Sequence, residues 1–363
     1  MSAASTYFSS TYKEARGKFR DAAFAAGARV NSHQNPARGP GGEELWSDLA
    51  WFGPEKAERM LLILSATHGA EGFLGSGVEV GWLSNGFPRE LPAGMGAVVL
   101  HALNPFGFAW VRRTNESNID LNRNFVDHGK PHPANEPYET LKDAICPRDW
   151  SPTGRAEADA VLQAYGGTHG AAALQSAITA GQYRHKDGVF YGGTAASWSN
   201  QLLTQLTRRL AQHARKIGVI DLHSGLGPYG VGEIINGHRI ERPGFRKIVD
   251  WFGGEATSNE GGTSSSAVVE GDTVTGMEMV APPVVEIAGV TLEYGTLPLK
   301  DMVDAVRADN WLHVHGKLDS PQGRAIKSQI RGAFYPDKDD WKAMVWDRAV
   351  DVSRRLVKGL AGS

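Results

Sequence analysis

The sequence predicts a three-layer α/β/α protein with a mixed, largely parallel central sheet. Short apolar runs closed by glycine, proline or polar residues recur along the 363-residue chain. Longer segments with helical spacing of apolar residues alternate with them. Such alternation suits parallel strands joined by helical crossovers, which bury both faces of the sheet.

Strands are expected at 60–66, 96–102, 216–222, 232–236 and 284–287. Helices are expected at 7–26, 74–83, 155–165, 197–215, 242–251, 302–315 and 341–358, the last with Asp339 or Asp340 near its start. Segments 126–139 and 258–276 read as loops, and the 44 glycines suit many tight turns. Neither loop is long enough to be a linker and no internal repeat is seen, so a single domain over 1–363 is expected.

Composition sets further bounds. With 41% hydrophobic and 21% charged residues the chain can build a sizeable core. A net charge of −2 gives no electrostatic reason to expect nucleic acid or an anionic membrane as partner. No apolar run approaches the ~20 residues of a membrane span, and the first 27 residues read as an amphipathic helix rather than a secretory signal. A cytoplasmic location is therefore expected. Cys146 is the single cysteine, which excludes an internal disulfide and a thiolate metal cluster; a metal would need histidine and carboxylate.

In open α/β sheets ligands bind beyond the carboxyl ends of the strands. His68 and Glu71, in "HGAEG", follow the 60–66 run, and His223 follows another in "KIGVIDLHSG". Two histidines and a glutamate are the set expected of a catalytic zinc that keeps one position open, although the same donors suit other divalent ions. Each is ordinary alone, since an HxxE pair is often two solvated turn residues. Their shared position at one sheet edge is what joins them.

"HGAEG", then "NPFGF", "RRTN", "DLNRNF", "DLHSG" and "TLEYGT" resemble, in content and order, the zinc carboxypeptidase superfamily. This superfamily takes in the metallocarboxypeptidases and the succinylglutamate desuccinylase–aspartoacylase group. The spacing is similar to its shorter bacterial branches, and the likeness covers about residues 60 to 297. The resemblance implies a zinc-carboxypeptidase-like fold and one Zn2+ per chain, held by His68, Glu71 and His223. It implies that Asp120 orients a ligand histidine, that Asn122 and Arg123 receive a substrate carboxylate, and that Arg113, more than Arg112, stabilises an oxyanion. Glu293 matches the general base and acid, with Glu286 a competitor. The mobile tyrosine of the digestive-type enzymes has no counterpart in "VVEGDTVTGM", leaving Tyr229 or Tyr294 as substitutes.

These residue types suit amide hydrolysis: a metal-activated water, a carboxylate to carry its proton, a guanidinium for the oxyanion and another to clamp a carboxylate. The expected substrate is a small peptide or an N-acyl amino acid. The chain is thus read as a carboxypeptidase-type hydrolase or a deacylase; a carboxylate-binding pseudoenzyme and a metal-free α/β enzyme are the competing classes. The bland alternatives for the arginines are a surface role for Arg113 and pairing of Arg123 with Asp120 or Asp127.

Other signals are discounted. "GLGPYG" fits a dinucleotide pattern but is followed by a strand rather than a helix, so it reads as a loop passing close to the metal. No GxSxG elbow occurs. His313 and His315 are expected in surface or capping roles, His128 and His132 in a solvated loop, and the tryptophans in packing.

Overall fold

The computed structural model describes residues 3–54 and 56–362. In chain order α1 (Tyr12–Ala25) precedes the strands β1 (Arg29–Arg38), β2 (Glu44–Phe52) and β3 (Arg59–Leu64), then α2 (Gly72–Ser84), β4 (Met95–His101) and α3 (Pro105–Ala109). Four helices follow: α4 (Glu136–Ile145), α5 (Pro152–His169), α6 (Ala171–Thr179) and α7 (Trp198–Leu210). Next come β5 (Lys216–Tyr229), β6 (Gly232–Asn236), α8 (Pro243–Phe252), β7 (Ala256–Ser258), α9 (Thr273–Val280) and β8 (Glu286–Gly295). Three helices, α10 (Leu299–Val314), α11 (Pro321–Phe334) and α12 (Asp339–Gly362), close the chain.

The eight strands form one mixed sheet in the order β1-β2-β4-β3-β5-β8-β6-β7. Its centre, β4-β3-β5-β8, is parallel, while β1, β2 and β6 pair antiparallel with their inner neighbours. Side chains alternate across the sheet as strand geometry requires. Leu61, Ile63, Val99, Ile220 and Leu222 pack on the face covered by α1, α2, α8 and α12. Leu62, Leu64, Val98, Leu100, Ile217 and Val219 pack on the face covered by α7 and α9. Each buried aliphatic side chain of this kind contributes roughly 1.5–3 kcal/mol. The result is the expected three-layer α/β architecture.

Several expectations shift. Strands β1 and β2 lie outside the expected set; "RVNSHQNPAR", which forms β1, is too polar to read as a core strand. The strand expected at 284–287 starts at Glu286 and runs on to Gly295. Helices α4 and α9 take over the ends of the two expected loops, each started by a side-chain cap, Asn135 on Tyr138 N and Asp272 on Thr275 N. Helices α6 and α11 were also outside the reading. The "GLGPYG" segment is largely the continuation of β5 rather than a loop. His313 is mostly buried beside Trp110 and Asp309, not on the surface, and burial pushes its imidazole down to about 2. Among the described residues no helix is long and apolar enough to cross a membrane.

Candidate metal centre

The alternation that fills the core also builds the site. Along β5, Ile217 and Val219 face α7 and α9, so Asp221 and His223, two and four residues further on, face the same way. β8 runs parallel to β5 with His223 opposite Glu293. The chain leaves β3 at Leu64 and reaches His68, followed by a single 3-10 turn, Gly69–Glu71, that swings Glu71 towards His223.

That turn explains two of the motifs. A Cβ on Gly69 would lie 1.9 Å from the carbonyl carbon of Gly107, so "HGAEG" and "NPFGF" touch backbone to backbone. Gly69 N and Ala70 N donate to the carbonyls of Arg113 and Arg112 at 3.2 and 2.7 Å, which ties "RRTN" to the same turn.

One ligand atom from each of His68, Glu71 and His223 lies within 4.8 Å of the others. His68 Nδ1 is 2.9 Å from Glu71 Oε1, and His223 Nδ1 is 2.9 Å from Glu71 Oε2. All three residues are buried, with exposures of 1–3%. The far ring nitrogens meet carboxylates: His68 Nε2 is 3.1 Å from Asp120 Oδ1, and His223 Nε2 is 3.0 Å from Asp221 Oδ2. The second contact is an ion pair by distance without the alignment of a hydrogen bond. Asp221 also accepts from Thr67 Oγ1 at 2.8 Å and Thr273 Oγ1 at 2.7 Å.

This donor set fits a divalent metal. Carboxylates on Nε2 leave both Nδ1 atoms turned inward beside Glu71, the arrangement that fixes the tautomer of a ligand histidine. Burial opposes charge on His223, but Asp221 and Glu71 outweigh it and hold the imidazole well above its usual range. Burial likewise opposes ionisation of Glu71, yet His68 and His223 keep it far below the ordinary carboxylate range. A buried cluster so charged is costly without a partner.

The arginines divide cleanly. Arg113 Nε donates to Asp120 Oδ2 at 2.8 Å, and its Nη1 lies 3.6 Å from Glu71 Oε1. Arg112 turns away, with Nη2 on Asn118 Oδ1 and Nε 3.5 Å from Asp309. Arg123 is buried, and burial lowers its guanidinium from the usual range. Its hydrogen bonds go to backbone carbonyls: Nε and Nη2 to Thr179, and Nη1 to Asn122 at 2.9 Å. Among the described residues none goes to a carboxylate, so neither Asp120 nor Asp127 takes it up. Phe190 lies beneath both guanidiniums, 5.1 Å from Arg113 Cζ and 5.7 Å from Arg123 Cζ. Asn122 is buried, and its Oδ1 has no hydrogen-bond partner among the described residues.

Glu293 is 8% exposed, and its Oε1 accepts from Leu226 N at 2.9 Å. Burial, with Glu71 nearby, pushes its carboxyl up to about 8. Glu286 begins β8 opposite Lys216, at the far end of the sheet, with Lys247 its ion-pair partner at 3.8 Å. Tyr229 Oη donates to Asp340 at 3.3 Å and Tyr294 Oη to the Val345 carbonyl at 3.0 Å; neither lines the cavity.

His68, Glu71, His223, Arg113, Asn122, Arg123 and Glu293 all open onto one cavity of about 610 Å3. His132 lines it too, stacked on Tyr183 at 4.7 Å and bonded to His128 at 3.0 Å, so both histidines are held by neighbours rather than solvated in a free loop. The sequence reading missed Asp221, which the two-residue period from His223 could have found, and Phe190, for which no local signal exists.

A family profile matches residues 8–348, nearly the whole chain. The chain belongs to the family described as "Protein of unknown function (DUF2817)". No curated protein matches the chain. Among solved structures the chain is similar to carboxypeptidase A from Helicoverpa armigera, at 11% identity and a TM-score of 0.47, covering 89% of this chain and 74% of that one. It is similar to bovine thrombin-activatable fibrinolysis inhibitor, at 12% identity and a TM-score of 0.43, covering 94% of this chain and 98% of the other. Murein-tripeptide amidase MpaA from Escherichia coli O157 matches at 17% identity and a TM-score of 0.35, over 83% and 92% of the two chains. These are likenesses, and the chemistry of this DUF2817 member rests on its own atoms.

Proposed function

We propose that the protein is a zinc-dependent hydrolase that cleaves an amide or peptide bond next to a free carboxylate. The observation that carries this reading is the meeting of His68, Glu71 and His223 within 4.8 Å, beside Glu293. His68 and His223, through Nδ1, and Glu71 would hold the metal, with Asp120 and Asp221 orienting the imidazoles. A zinc ion bound there supplies a water nucleophile usable near neutral pH and a Lewis acid for the scissile carbonyl.

The remaining work falls to side chains. Arg123 receives the substrate carboxylate, with Asn122 beside it, because its buried fork opens onto the cavity and its hydrogen bonds go only to backbone carbonyls, with none to a carboxylate among the described residues. Arg113, anchored by Asp120, offers its terminal nitrogens to the developing oxyanion. Glu293, steadied by Leu226 N–H, takes the proton of the attacking water and passes it to the leaving nitrogen.

The test is metal quantification on purified protein, followed by zinc loading and a screen of C-terminally free peptides and N-acyl amino acids. One zinc per chain is expected, with turnover of free-carboxylate substrates and not of their amidated counterparts. Zinc uptake with no turnover would leave a carboxylate-binding pseudoenzyme; failure to bind a divalent ion would end the reading.

A further inference from the structure

One face of α10 is turned to the cavity. Leu299, Met302, Val303 and Val306 all line it, and their spacing of three, four and seven residues is a single helical stripe. Exposure grades along the stripe from 37% at Leu299, on the rim, to 6% at Met302 and 8% at Val306. The stripe ends against the metal centre. A Cβ on Gly225, two residues past His223, would lie 2.7 Å from Met302 Sδ. Leu226, the next residue, both lines the cavity and donates to Glu293.

The Arg123 side chain is held by other elements, the end of α6 through the Thr179 carbonyl and Gly181, which packs on its aliphatic stem and Nε. The site thus has a charged end and an aliphatic wall on different parts of the fold. Its volume of about 610 Å3 is far more than an acetylated amino acid requires and falls in the range of sites for much larger ligands.

We propose that the α10 stripe with Leu226 is a subsite for an extended apolar group on the acyl side of the scissile amide. The substrate class is then an amide with a free carboxylate on the nitrogen side and a bulky aliphatic or aromatic group on the carbonyl side. This rests on the hydrolase reading above. Water displaced from such a wall favours each methylene that replaces it.

The experiment has three arms. With zinc-loaded protein, kcat/KM is measured for acetyl, hexanoyl and decanoyl derivatives of one amino acid, and for dipeptides with glycine or leucine on the acyl side. A rise of at least tenfold from acetyl to decanoyl supports the subsite with a fatty acyl group as source. A like rise from glycine to leucine supports it with a peptide as source. Val303→Asp is expected to lower the decanoyl rate at least tenfold more than the acetyl rate. Leu299→Gln, at the exposed rim, repeats the comparison should Val303→Asp fail to fold. The third arm is calorimetric binding of decanoate to metal-free protein, weakened by the same variants and with a negative heat-capacity change. Flat rates in both series with an active enzyme overturn the subsite and leave the hydrolase reading standing. If nothing is turned over, the hydrolase reading falls, and decanoate binding alone decides the subsite: saturable binding supports it, none overturns it.

Discussion

His223 and Glu293 face each other across two parallel strands, in register and on the same face of the sheet. The proposed ligand histidine and the proposed proton-carrying carboxylate are thereby fixed by the ladder itself rather than by a loop. Rigid placement of this kind limits how far either group must move during reaction.

From that pairing, Glu293→Gln should abolish turnover while leaving the metal in place. The amide keeps the size of the side chain but cannot take up a proton, and general acid–base groups are worth about 10²–10⁴-fold. The check pairs kcat with metal content. Loss of metal would mean that Glu293 helps hold the ion; unchanged kcat would move the proton-carrying role elsewhere.

Asp221 Oδ2 lies 3.0 Å from His223 Nε2, and its carboxylate accepts from Thr67 and Thr273; in the proposed site it orients His223. Asp221→Asn is expected to weaken zinc binding by roughly 10–100-fold, the usual cost of losing a carboxylate behind a ligand histidine. Titration against a competing chelator measures it. An affinity equal to that of the parent protein would reduce Asp221 to a purely structural partner.

Arg123→Lys retains a positive charge but loses the planar fork and its hold on the Thr179 carbonyl. KM for free-carboxylate substrates should rise about tenfold or more, as expected where one half of a buried charged contact is impaired, with a smaller change in kcat. An amidated substrate, if hydrolysed at all, should not respond. Equal effects on both would show that Arg123 supports the fold instead of reading the carboxylate.

Part of this site was legible because its residues sit in short runs with local meaning. His68, Glu71 and His223 each follow an apolar run in the sequence, and the carboxyl-end halves of strands in an α/β sheet converge on one edge. The choice between Glu293 and Glu286 was not legible. Both lie in the same run, and only the start of β8 at Glu286 shows that one is at the carboxyl end and the other at the opposite end. The surroundings of Arg123 were out of reach as well. Thr179 and Phe190 are more than fifty residues away in sequence and arrive by tertiary packing. Strand β1 was missed for a different reason: it lies at the edge of the sheet, where polar residues are tolerated.

The last prediction concerns stability and lies outside the cavity. Glu79, in α2, is fully buried, and neither carboxyl oxygen has a hydrogen-bond partner among the described residues. Burial pushes its carboxyl well above the ordinary range, and the nearby Ser65 hydroxyl offsets only part of this. The folded protein therefore keeps a proton that the unfolded chain gives up near the ordinary value of about 4.3. Stability from this group is complete below that value and is lost as pH rises towards the folded-state value, by at most about 1.4 kcal/mol per pH unit. Glu79→Gln holds a neutral side chain of the same shape at every pH, so its advantage over the parent should be small at pH 5 and grow by pH 8. Denaturant unfolding of both proteins at pH 5, 6.5 and 8 reads this directly. A stability difference that stays constant across the three would show that Glu79 titrates no differently when folded, and that its burial is relieved by a partner such as an internal water.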